Sequence, residues 1–449
     1  MLLLPLLMQG QSTLDNYIQE ALSSNLALQQ KELSYTKSLA ALKEAKAMYL
    51  PVLAVNARYS RANGGRTFDI PIGDLMNPIY TNINLLNDQA AQINGGFPEI
   101  PDYPQIENQS VNFLRSEEHD TKLQLILPIF NQAIRQANKI NQQQAEVERI
   151  SVDVYKNELI QEVKDGYFSY LQTLEAIKLF ENTLTLVTEN VRTSNSLFKN
   201  HKVTIDVVYA AEAQVKEVET QLTEAKMNER LAAAYFNFLL NRAYNTPIQT
   251  TEPSELTANV LTLEQARAFA FQKRPELQQL DAAVNALHEK VKLDKAQNQP
   301  NLSLVGDYGF QGTSYSFTNE DDYMMGSLVL NWDLFNRQTK FKAQQSTIEK
   351  DRMRIRKEEV TQQIGLEVVQ AFYQLETSRK NIDLNKAQVE SAQKAFRLVN
   401  KKYKQGQANL VTFIDARTRL TNAEQQLIIA NYDYQKKIAQ LEKAVGSNI

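Results

Sequence analysis

Two sets of six apolar residues, each spaced by seven, set the tightest limit on how this chain can fold. Val163, Tyr170, Ile177, Leu184, Val191 and Phe198 form the first set. Val368, Leu375, Ile382, Val389, Phe396 and Tyr403 form the second. A heptad sustained over this length marks long helices packed along a seam. The sets superpose at an offset of 205, Val163 falling on Val368, so the chain is built twice. An earlier stretch repeats at an offset of 249, with Thr13-Leu14 matching Thr262-Leu263, Leu28-Gln29 matching Leu277-Gln278, Pro51 matching Pro300 and Tyr59 matching Tyr308. The offsets differ by 44, which measures an insertion in the first copy between Arg61 and Thr121.

Composition matters most in that insertion. It holds five of the 12 prolines and five of the 14 glycines, so a long irregular loop is expected over 62–120. The repeats run over 12–246 and 262–449, joined by 247–261. Each reads as helix, strand, loop, strand, very long helix, tight turn and returning helix. The long helix from Asn336 to about Lys404 would run roughly 100 Å. Turns near 199–205 and 404–411 close two helical hairpins. Gly406 suits the positive φ of a helix end, and His201 holds the matching place less easily or uses another turn. Residues 1–11 contain the apolar run Met1–Met8, too short to span a bilayer, and read as the remnant of a secretory signal.

The predicted strands, about 52–61, 121–129, 301–311 and 323–334, alternate in character. Leu53, Val55, Ala57 and Tyr59 share one face, and Ala54, Asn56, Arg58 and Ser60 the other. Leu302, Leu304, Tyr308 and Phe310 likewise oppose Asn301, Ser303 and Asp307. A membrane barrel with a wet lumen shows this pattern, with Tyr59, Tyr308 and Trp332 at its interfaces and Arg58 and Asp307 lining the lumen. A soluble sheet with one buried face shows it too. Four strands cannot close a barrel, since the smallest have about eight, but three chains would supply twelve. The same homotrimer would gather twelve helices into a cylinder. The expected fold is therefore mainly α, with duplicated long helical hairpins and a shared 12-stranded β-barrel.

Other classes fall away. Lys+Arg total 49 against 52 Asp+Glu, so no basic excess points to nucleic acid. With no Cys and three dispersed His, thiolate and His-rich metal centres have no ligands to build them. His201 reads as an exposed turn residue, and Glu117-Glu118-His119-Asp120 as the exposed end of a strand. No nucleotide-binding or hydrolase signature is present, so neither an enzyme nor a cofactor is expected.

These features resemble the TolC-like outer-membrane efflux protein family over nearly the whole chain, from Thr13 to Gly446. The paired tips carry the resemblance best: Phe198 through Asp206-Val-Val, and Tyr403-Lys-Gln-Gly406 through Thr412-Phe-Ile-Asp415-Ala-Arg. Pro128-Ile-Phe-Asn131 and Asp333-Leu-Phe-Asn336 also fit, each Asn placed to cap a long helix. The resemblance implies a trimeric channel-tunnel set in outer-membrane lipid and crossing the periplasm. Its tip docks onto a periplasmic adaptor and an inner-membrane transporter. It implies that Thr412 and Asp415 ring the aperture, with one acid where drug-export members have two. It also implies that Tyr403 and Asp206 join two hairpins in the closed tip, while Ala408 replaces the arginine of that latch. Core packing is the default reading for Tyr403, and helix-dipole stabilisation stands beside the latch role for Asp206. The function so implied is a passive exit duct for small molecules in a tripartite efflux system. A type I protein-secretion duct, or a soluble periplasmic coiled-coil scaffold, are the alternatives.

Overall fold

A computed structural model describes residues 13–93, 100–250, 261–315 and 318–446. The signal remnant and most of the inter-repeat connection lie outside the described residues. In chain order the elements are α1 (Thr13–Ser24), α2 (Leu26–Ala47), β1 (Val52–Arg61), β2 (Thr67–Ile70), α3 (Ile72–Ile93), β3 (Gln109–Asn112), β4 (Glu117–Phe130), α4 (Gln132–Lys199) and α5 (Ile205–Leu239). The second copy supplies α6 (Leu263–Lys273), α7 (Pro275–Ala296), β5 (Asn301–Gly312), β6 (Asp322–Asn331), α8 (Arg337–Lys404) and α9 (Leu410–Val445). The chain is mostly helical and divides into a helical unit and a sheet unit.

In the helical unit, α4 and α8 are each 68 residues long, and no proline interrupts either. At 1.5 Å per residue each runs about 100 Å. Asn131 starts α4 by accepting the Ile134 amide hydrogen on Oδ1 at 3.1 Å. The duplication reaches into the cores. One core contains Tyr17, Ala21, Leu28, Leu159, Val163, Phe236, Leu239 and Leu240. The other contains Ala266, Ala270, Leu277, Ile364, Val368, Leu441, Ala444 and Val445, which stand at the same repeat positions. Large and small side chains trade places between the copies. Tyr17 and Phe236 fill the first core where Ala266 and Leu441 stand in the second. In return Gly166 stands where the second core has Ala371, leaving room for Phe236 and Leu239. Each fully buried Leu or Val in these clusters contributes about 1.5–3 kcal/mol.

The heptad residues are buried to different degrees. Val163, Tyr170, Val368, Phe396 and Tyr403 are buried, and Ile177, Leu184, Val191, Leu375, Ile382 and Val389 are half-buried. Phe198 departs from expectation and is exposed. By the end of α4 the heptad no longer tracks the buried face, although in α8 the same step still ends on buried Tyr403. The buried seam of α4 has by then moved to Val187, Asn190 and Ser194.

In the sheet unit the order is β1-β4-β5-β6, antiparallel throughout, with β1 and β6 at the edges. The register gathers Val52, Phe130, Asn301 and Asn331 at one end, where the chain passes to and from the helices. The insertion and the β5–β6 turn leave from the opposite end. β6 ends at Asn331 rather than 334, so Trp332 lies beyond it, and its Nε1 donates to the Asn298 carbonyl at 3.1 Å.

The insertion is not the irregular loop its composition suggested. It holds the antiparallel β2–β3 pair, with the 22-residue α3 between its strands, and β4 already begins at Glu117. Three of its special residues lead into regular structure. Gly64 and Gly65 take positive φ before β2, and Pro71 precedes α3. Pro78 is accommodated inside α3.

Candidate functional site

The tips of the two hairpins are built alike. At the end of α4 the His201 amide donates to Phe198 O and the Lys202 amide to Leu197 O, both at 2.9 Å. At the end of α8 the Gly406 amide donates to Tyr403 O and the Gln407 amide to Lys402 O, again at 2.9 Å. His201 adopts φ 54° and Gly406 φ 72°, so the histidine takes the left-handed geometry itself instead of another turn. Nothing crowds a Cβ at Gly406, so positive φ alone is what asks for glycine there. Asn409 then caps α9, accepting from the amide and the hydroxyl of Thr412 at 2.8 and 2.7 Å. Thr204, the matching cap of α5, makes no side-chain cap bond.

Tyr403 is the centre of the tip. Only 2% of it is exposed, and its ring lies 4.9 Å from that of Phe413. Its hydroxyl hydrogen-bonds the Ser194 hydroxyl at 2.8 Å, joining α8 of the second hairpin to α4 of the first. The partner is thus Ser194 rather than Asp206. Asp206 instead sits exposed in the first turn of α5, where the macrodipole favours a carboxylate. Thr412 is held within the Asn409 cap. Asp415 is exposed and takes both carboxylate oxygens to Arg419 Nε, at 3.1 and 3.0 Å.

A second bond between hairpins lies one turn further along α9. Arg417 is buried and donates to Thr183 Oγ1 at 2.5 Å, with its guanidinium 5.5 Å from the Phe396 ring centre. Glu424 stands 3.9 Å away. Burial pulls the Arg417 guanidinium below its ordinary pKa, and burial raises that of Glu424, which Arg417 partly offsets. Sequence reasoning missed Ser194 and Arg417. A signal for the arginine existed: Phe413, Arg417 and Leu420 follow the alternating three- and four-residue steps of a buried seam.

In the sheet, cross-strand partners share a face, which makes the two faces unlike. Leu53, Val55, Tyr59, Leu123, Leu125, Tyr308, Met324, Leu328 and Leu330 project from one, and all are exposed. Arg58, Lys122, Gln124 and Asp307 project from the other. Asp307 is buried, accepting from Gln124 Nε2 at 2.9 Å and Lys122 Nζ at 3.4 Å, while Arg58 is exposed opposite Asp120. The two lumen candidates therefore share a face without meeting. His119 corrects the reading of its acidic run as an exposed strand end. It is buried within β4, stacked on Tyr315 at 4.5 Å.

Comparison with known proteins fits this architecture. The family model described as outer membrane efflux protein matches residues 268–447. The probable efflux pump outer membrane protein TtgC of Pseudomonas putida is 24% identical over 301 residues, 64% of this chain and 60% of TtgC. The outer membrane protein TolC of Escherichia coli is 23% identical over 363 residues, 76% of this chain and 71% of TolC. The crystal structure of the Campylobacter jejuni CmeC outer membrane channel superposes with a TM-score of 0.76 at 16% identity, covering 97% of this chain and 86% of that one. Over residues 268–447 the chain is thus similar to the outer membrane efflux protein family, and it spans less than two thirds of the length of TtgC. Its place is the outer membrane of a Gram-negative bacterium.

Proposed function

We propose that three copies of this chain form a passive exit duct for small molecules, opened at its tip by a periplasmic adaptor and an inner-membrane pump. The sheet is the observation that carries this reading. An exposed apolar face opposite a charged one is stable where lipid covers the first and water the second. The edges β1 and β6 are open, and open edges are not tolerated in lipid. Joining β6 of each copy to β1 of the next removes every edge and closes twelve strands. Among the described residues no helix is long and apolar enough to cross a membrane.

On this reading Arg58, Lys122 and Asp307 face the lumen. Asp415 and Thr412 approach the threefold axis at the tip, and the Tyr403–Ser194 and Arg417–Thr183 bonds hold the hairpins in the closed state. Three Asp415 carboxylates near one axis favour cations, although Arg419 neutralises part of that charge. Two experiments test this. Cells deprived of the chain should retain a fluorescent efflux dye and lose it again on re-expression; equal retention in both would contradict an efflux role. In planar bilayers, Asp415→Ala should weaken block by divalent cations, and unchanged block would remove Asp415 from the aperture.

A further inference from the structure

The helix in the first-copy insertion has two faces built on the same seven-residue step, and only one is occupied. On that face Asn77 and Asn84 clasp an extended segment by its backbone. Asn77 donates to Ile106 O at 2.9 Å and accepts from Ile106 N at 2.8 Å. Asn84 treats Tyr103 the same way, at 3.1 and 2.9 Å. Tyr80 stacks on Tyr103 with ring centres 5.2 Å apart. Gly73 completes the fit, since a Cβ there would lie 2.3 Å from Ile106 O.

The opposite face carries Leu75, Ile79, Asn82, Leu86, Gln89 and Ile93, alternating steps of four and three. Leu75, Ile79, Leu86 and Ile93 are exposed by 67, 50, 64 and 79%. This is a coiled-coil seam. Ile79, Leu86 and Ile93 share one core position, and Leu75, Asn82 and Gln89 the other. An anionic lipid surface is a poor occupant, because α3 holds two Asp and no Lys or Arg. A copy of the same seam is a good one. α3 follows closely after β1, the sheet edge through which copies join in the duct. Threefold symmetry then sets the three α3 helices round one axis and makes them parallel.

We propose that α3 packs against the α3 helices of two further copies of this chain, as a parallel three-helix coiled coil along the Leu75–Ile93 stripe. The inference rests on the three-copy duct. The polar Asn82 and Gln89 layers fix its register. The bundle stands at the end of the sheet from which the insertion leaves and narrows the mouth of the duct.

The chain has no Cys, so a single introduced thiol reports cleanly. Leu86→Cys lies on the seam, and Asp88→Cys lies exposed on the same turn but off it. Each full-length protein is treated with a short bismaleimide in outer membranes, and its native mass is measured in detergent. The expected result is that Leu86→Cys shifts to cross-linked dimers on a denaturing gel, one thiol per chain allowing no larger product, while Asp88→Cys runs as single chains. A three-copy native mass with no shift at Leu86→Cys overturns the coiled coil and leaves the duct standing. Equal shifts at both positions overturn the seam assignment. A native mass below three copies overturns both the coiled coil and the duct.

Discussion

The α4–α5 and α8–α9 hairpins share lengths, turns and core positions, yet they differ wherever a position is demanding. Each has two residues in the left-handed region. The second copy places Gly406 and Gly446 there, and the first places His201 and Asn241. The second hairpin buries its last two heptad residues, Phe396 and Tyr403. In the first, the matching Phe198 is 38% exposed. Asn409 caps α9 with its side chain, while Thr204 does not cap α5 in that way. The second tip is thus the more fully specified. Its hairpin also supplies the residues that reach across to α4, Tyr403 to Ser194 and Arg417 to Thr183. A duplicated scaffold can hold one arm while refining the other, and the refined arm is the candidate for movement.

This contrast can be broken by substitution in matched pairs. The largest difference is expected at the heptad ends. Tyr403→Ala removes a buried ring and should cost about 3–5 kcal/mol of local stability, whereas exposed Phe198→Ala should fall within about 0.5 kcal/mol. Hydrogen exchange of the tip amides measures both, and equal costs would erase the distinction between the arms. Next come the turns. Gly406→Ala forces a Cβ into positive φ and should cost about 1–2 kcal/mol, while His201→Gly should gain a fraction of that. If His201→Gly is destabilising in the same assay, the histidine contributes something beyond the turn.

The caps should differ by less. Asn409→Ala should cost about 1 kcal/mol, and Thr204→Ala only a few tenths, because no side-chain cap bond is lost there. The smallest effect concerns acid. Asp165 of α4 stands where α8 has Gln370. Burial raises its pKa above the ordinary aspartate value, against a weaker opposing bond from Gln161. The folded state therefore holds this proton more tightly than the unfolded chain. That contribution favours folding below the ordinary value and is lost as pH rises through the raised one. Asp165→Asn should flatten this fall in a melting-temperature series against pH. A slope unchanged by the substitution would assign it to Glu162 and Glu424, whose pKa values burial also raises.

Much of this architecture is legible in sequence because it repeats. Long helices without proline, paired heptads and alternating strands carry period and offset, and the chain states each twice. What stayed hidden lacks a second copy or depends on a distant partner. The insertion occurs once, and its glycines and prolines read as an irregular loop, although Pro71 directly precedes α3 and Gly73 and Pro78 lie within it. Tyr403 was legible as a heptad residue, but its bond to Ser194 spans 209 positions and joins two unremarkable polar side chains. His119 looked exposed among acids, because nothing local announces the Tyr315 ring that covers it. Arg417 is marked in the sequence only by its place on the Phe413–Leu420 seam.

The central claim is that four strands with an exposed apolar face are one third of a closed barrel. Native mass spectrometry of the protein extracted by detergent from outer membranes tests it most directly. A particle of three chains that persists as detergent is stripped is the expected result. A single chain or a dimer, stable under the same conditions, would contradict the shared barrel and leave the sheet with a different cover.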